Sequence, residues 1–152
     1  MRTLLVVLVM LACSSRNDEE LGRTATQAMK ELNDADDAFP KQIKEASVQL
    51  GADLLISPAR AADTVKTQVL PLFDRYLATL DRAVTAADAY LATLNDETSK
   101  QNVDVVRKRG AAFRRAREGF ADLEHKARAG VSTEELNKLL MSIGVTMLTA
   151  GK

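Results

Sequence analysis

A chain of 152 residues allows one domain with a substantial core and little room for a second. Lysine plus arginine and aspartate plus glutamate both number 21, so the balance gives no general attraction to nucleic acid or any other polyanion. The single cysteine excludes an internal disulfide and, with one histidine, leaves little for a transition-metal site, while 4% aromatic residues and three prolines in an alanine-rich chain favour helices over strands.

Met1-Arg2-Thr3 is followed by the apolar run Leu4-Leu5-Val6-Val7-Leu8-Val9-Met10-Leu11-Ala12-Cys13, and then by Ser14-Ser15-Arg16-Asn17-Asp18-Glu19-Glu20. A positive start, a short apolar stretch and a small residue before a cut site mark a secretory signal. The run is about half of the ~20 residues a helix needs to span a bilayer, so it is too short for a lasting anchor. A buried strand or helix of an internal protein is the competing reading, but the run has no period and switches at once to charged residues.

Met10-Leu11-Ala12-Cys13 resembles the lipobox of bacterial lipoproteins: a large apolar residue, a second residue, a small residue, then cysteine. The resemblance implies that residues 1–12 are a signal peptide cleaved after Ala12. It also implies a diacylglyceryl thioether on Cys13 and a new N-terminus carrying an acyl chain such as palmitate. Two or three chains at about 0.8 kcal/mol per buried methylene would hold the protein on a membrane. Ser14, by the sorting rule of such lipoproteins, implies the periplasmic side of the outer membrane. Residues 13–17 then form a lipidated start and short tether, and 18–152 a single helical-bundle domain.

Leu21, Ala25, Ala28, Leu32, Ala35 and Phe39 alternate steps of four and three, one stripe of a first helix. Pro40 is expected to end it, because the residue before a proline avoids helical angles. A second, short helix carries Ile43, Ser47, Leu50 and Leu54 on one face, and Ser57-Pro58 caps and opens the next. That third helix keeps its period through Ala62, Val65, Val69, Phe73, Tyr76, Leu80, Val84, Ala87, Leu91 and Leu94, with a kink or break expected near Pro71. Thr98 and Gln101 suggest a capping box for a fourth helix with the stripe Val103, Val106, Gly110, Phe113, Arg117, Phe120, then Leu123 or Glu124, and Ala127. The short connection before it makes the third and fourth helices antiparallel. Gly130 ends the fourth helix as a left-handed cap. Ser132 with Glu135, stapled by Val131 and Leu136, starts a fifth that buries Leu136, Leu139, Leu140, Ile143 and Met147. The predicted architecture is all-α: an antiparallel bundle of four to five helices.

Segment charges differ although the total is zero. Residues 14–39 hold three basic and seven acidic side chains (3 − 7 = −4), and residues 100–128 hold nine basic and four acidic (9 − 4 = +5). Arg107, Lys108, Arg109, Arg114, Arg115 and Arg117 form the densest cluster. It reads either as a solvated face complementing the acidic first helix or as a partner-binding face for an acidic protein or anionic headgroups. Nucleic acid is disfavoured by export and by the lack of interleaved aromatic stacking platforms. Asp34, Asp36 and Asp37 lack the ligand spacing and central glycine of an EF-hand loop. Met29 with His125 is the one pair to consider for haem, but His125 lies off the apolar stripe beside Lys126 and Arg128 and reads as a surface residue. No metalloprotease pair, phosphate-cradling glycine loop or nucleophile elbow is present.

The sequence therefore predicts no enzyme, no cofactor and no metal site. It predicts a lipid-anchored envelope protein, a binding or structural accessory acting through a helical surface. An inhibitor or immunity-type lipoprotein that neutralises a toxin or lytic enzyme in the periplasm is the alternative.

Overall fold

The computed structural model describes residues 16–94 and 97–149, so the apolar run, Cys13 and Ser14 lie outside the described residues. Helix α1 (Arg16–Ile56) is followed by α2 (Pro58–Thr64), a π-helical segment (Val65–Val69), α3 (Leu70–Leu91), α4 (Glu97–Arg128) and α5 (Thr133–Thr149). α2, the π segment and α3 join end to end, giving four helical rods and no strand among the described residues. Successive rods pack antiparallel: α1 lies on α2 and α3, α3 on α4, and α4 on α5.

The expected break at Pro40 is absent. α1 runs 41 residues straight through it, absorbing the segment predicted as a separate second helix. Proline in a helix interior costs about 3 kcal/mol, but Pro40 is exposed and the apolar stripe passes it in phase. Leu32, Phe39, Ile43, Ala46, Leu50 and Leu54 are all buried at steps that keep one helical face. A break at Phe39 would take Ile43, Leu50 and Leu54 out of line with Leu32 and Phe39, and each is worth roughly 1.5–3 kcal/mol when buried. The stretch given to a tether is also shorter, because α1 already includes Arg16 and Asn17.

Pro71 is accommodated differently. The interruption expected there is the π segment just before it, in which the Leu70 N–H donates to the Val65 carbonyl, five residues back. The wider turn lets the backbone receive a ring that would otherwise clash with the preceding carbonyl.

The main core is aromatic at its centre. Phe73 is fully buried, with ring centroids 5.2 Å from Phe39, 6.2 Å from Phe113 and 5.5 Å from Phe120, and Tyr76 stacks 4.6 Å from Phe39 and 5.0 Å from Phe113. These distances fall in the favourable range for offset and edge contacts. Ala87, Leu91 and Val103 form a smaller cluster where α3 meets the start of α4. α4 begins at Glu97, so Thr98 sits inside the helix rather than capping it.

The α4–α5 corner follows its local chemistry. Gly130 adopts φ 77°, its N–H donates to Ala127, and the Val131 N–H reaches back to Lys126. These two bonds are the Schellman pair that satisfies the last α4 carbonyls. The Glu135 N–H donates to Ser132 Oγ at 3.3 Å, and Ser132 Oγ donates to Glu135 Oε2 at 3.4 Å. Val131 and Leu136, the expected staple, both belong to the core.

Candidate functional site

The basic cluster occupies about three turns of α4, and α3 carries Asp74, Asp81 and Asp88 at intervals of seven residues. Seven residues is close to two helical turns, so the three carboxylates share one edge of α3. Antiparallel packing brings Arg117, Arg114 and Arg107 opposite them in that order. Arg117 Nε bonds Asp74 Oδ1 at 2.7 Å with a second, longer bond from Nη2 at 3.4 Å. Arg114 pairs with Asp81, and Arg107 pairs with both Asp88 and Asp104 of its own helix. Arg128 extends the series to Asp63 of α2 at 2.9 Å.

Arg109 turns the other way, toward α1. Its Nη1 lies 2.9 Å from Asp36 Oδ2, both side chains are about a quarter exposed, and its Nε is buried without a hydrogen-bond partner. Asp36 also accepts a 2.7 Å hydrogen bond from the Tyr76 hydroxyl. Burial, and then that bond to a carboxylate, push the Tyr76 phenol above its ordinary pKa, so it serves as a neutral donor. One acidic residue of the Asp34, Asp36 and Asp37 group is thus a structural acceptor joining three helices.

The predicted partner-binding face is therefore divided. Arg107, Arg109, Arg114 and Arg117 are engaged by carboxylates within the bundle, and Lys108 and Arg115 are exposed with no ion pair among the described residues. Segment charge pointed to α1 as the acidic counterpart, whereas most of the acceptors lie on α3. Their signal in the sequence was the interval of seven, hidden because Arg75 and Arg82 keep the local net charge low.

Two further polar and apolar features went unread. Asp53, buried near the end of α1, accepts the Thr64 hydroxyl at 2.6 Å and the Gln49 amide at 3.0 Å, and these donors, Thr64 first, hold its carboxyl below the usual range. This pins the α1–α2 turn. On the outer side of α5, Met141, Val145 and Leu148 remain 67%, 61% and 77% exposed at helical spacing, and no charged residue occurs from Leu139 to Thr149.

A groove of about 740 Å³ runs between α1 and α3 near the start of α1. Its apolar lining includes Leu21, Ala28, Ala86 and Ala89, and the Arg82–Glu31 pair, at 3.7 Å, stands at the end farther from Arg16.

Among the described residues no group of three histidine, cysteine, aspartate or glutamate side chains is placed to hold a metal ion, and no helix is long and apolar enough to cross a membrane. His125 is exposed. Met29 lies about two turns before Asp36 on α1, and His125 more than about four turns beyond Arg109 on α4, so the two are not brought together. Comparison with protein families, with curated proteins and with solved structures gave no match, so these surfaces must be read on their own chemistry.

Proposed function

We propose that this chain is a non-enzymatic, lipid-anchored envelope protein: a binding or structural accessory held at the periplasmic side of the outer membrane through Cys13. The observation that carries the reading is the apolar run closing on Met10-Leu11-Ala12-Cys13, followed three residues later by a charged helix. A ten-residue stretch of that composition suits a signal better than a buried element. The all-α bundle behind it supports the reading as a rigid display scaffold, with short connections and an ion-paired α3–α4 edge.

Pairing within the bundle shifts the partner surface away from the cationic edge of α4. Exposed arginines already satisfied by carboxylates add little to an encounter, because an incoming acidic group must displace an existing partner. The outer face of α5 supports the contact better: its apolar residues at 141, 145 and 148 fit the helix-in-groove mode of recognition.

Anchoring is tested by expressing Cys13→Ala beside the wild type in bacteria supplied with radiolabelled palmitate. The wild type should take up label and sediment with outer membranes, and the variant should lose both properties. Membrane sedimentation of an unlabelled Cys13→Ala protein at the wild-type level would sink the reading.

A further inference from the structure

We infer that the α1–α3 groove is a binding site for a saturated acyl chain, and that its occupant is one chain of the lipid on Cys13. The inference rests on the anchoring proposed above and adds a means of regulating it. Three observations converge. Leu21, Ala28, Ala86 and Ala89 line the groove beside the polar Arg23, Thr24, Gln27 and Thr85, with alanines where larger side chains would fill the space. From Leu21 to Glu31 it follows ten residues of α1, about 15 Å at 1.5 Å per residue. One leaflet of a bilayer's hydrocarbon core is also about 15 Å deep, the depth that an acyl chain spans in a membrane.

The third observation is position. The Leu21 and Ala89 end of the groove lies nearest the start of α1, and the Arg82–Glu31 pair stands at the other end. Leu21 is five residues, about 7.5 Å, beyond Arg16. Cys13 is three residues before Arg16, a reach of at most about 10 Å. A chain attached at the Cys13 sulfur can therefore enter at the Leu21 end and run toward Glu31.

An acyl chain in the groove is a chain withheld from the bilayer. A single inserted chain gives only marginal and reversible membrane binding, whereas two or more give stable anchoring. With the diacylglyceryl group alone on Cys13, groove occupancy leaves one chain in the bilayer and makes the protein exchangeable, whereas a triacylated form keeps two and stays firmly held.

The test uses the whole mature chain from residue 13 carrying Cys13→Ser, which keeps every described residue and cannot form the thioether. Titration with cis-parinaric acid, a fluorescent long-chain fatty acid, should give a saturable one-to-one signal that palmitate displaces. Ala86→Phe, in the middle of the groove, should weaken binding by about tenfold or more by filling the space. Ala89→Trp at the exposed mouth should do the same and leaves the core untouched. Lipidated wild type should take up much less of the probe, because its own chain competes for the groove. The inference is overturned by absence of saturable binding in Cys13→Ser, by full affinity in both groove variants, or by equal uptake in the lipidated protein. Mass spectrometry of the native protein separates the failures. With lipid present on Cys13, a silent groove defeats only this inference; with no lipid there, the anchoring falls as well.

Discussion

α4 packs against α3 on one side and α5 on the other, and the two seams are built from different materials. The α3–α4 seam has aromatic side chains inside and a line of Asp–Arg pairs at its edge, from Asp88–Arg107 through Asp81–Arg114 to Asp74–Arg117. The α4–α5 seam is apolar, set by the fit of Ile143 against Gly119 and by the burial of Leu123 and Leu136. Charge at regular spacing penalises a wrong register, because a shifted helix brings like charges or empty positions together. A shape fit gives no such long-range instruction. The α5 seam must instead be positioned by the Gly130–Ser132 corner that delivers the helix.

The deepest break in the first seam should come from Phe73→Ala. Phe73 is fully buried among three other rings, and removing it leaves a cavity at the junction of α1, α3 and α4. Such truncations cost about 3–5 kcal/mol, a large share of the roughly 5–15 kcal/mol that holds a domain of this size. Urea denaturation followed by circular dichroism should show a much lower midpoint. A loss under about 1 kcal/mol would mean that the aromatic centre does not organise the bundle.

The same comparison separates what the sequence disclosed from what it hid. Helix identity and the α4–α5 corner were legible because both are local: Gly130, Ser132 and Glu135 act within one turn, and apolar stripes declare their face. No helix end forms at Pro40, because the stripe continues in phase from Phe39 to Ile43 and its burial outweighs the local penalty of the proline. The partner of the basic cluster was missed for a related reason. Segment net charge ranked α1 as the acidic helix, but pairing depends on which side chains share an edge, and that information lay in the spacing of Asp74, Asp81 and Asp88. The groove could not be read at all, since Ala28 and Ala86 look like ordinary small interface residues until the two helices are set side by side.

The second seam is probed at its point of closest approach. A Cβ at Gly119 would lie 2.7 Å from Ile143 Cγ1 and 3.2 Å from Ile143 Cδ1, so Gly119→Ala must displace the Ile143 side chain or the α5 backbone that carries it. Overpacking of this kind costs about 1–3 kcal/mol, and better helix propensity returns up to about 1 kcal/mol, leaving a net loss of roughly 1–2 kcal/mol. Hydrogen exchange should show faster amides from Leu139 to Met147 with unchanged protection across α3. Adding Ile143→Ala to Gly119→Ala should remove the clash, so the second change should cost less in that background than in the wild type. Slower α5 exchange in Gly119→Ala would show that propensity, and not fit, governs this seam.

The smallest effect belongs to the edge of the first seam. Arg114 and Asp81 are each about half exposed, and exposed ion pairs are worth about 0.2–1 kcal/mol, so Arg114→Glu should cost on the order of 1 kcal/mol at low salt. Near 1 M salt, where the Debye length is about 3 Å, most of that loss should vanish. Exchanging the charges, with Asp81→Arg added to Arg114→Glu, should recover stability at low salt, and the double-mutant cycle gives the coupling directly. A penalty that persists in high salt, or a swap that recovers nothing, would assign the cost to packing of the arginine stem and not to its charge. If the swap does recover stability, the line of pairs contributes little to the depth of the native state and more to its uniqueness. That outcome would explain why Arg107, Arg114 and Arg117 stand against carboxylates of α3 while Lys108 and Arg115 of the same cluster face solvent without an ion pair among the described residues.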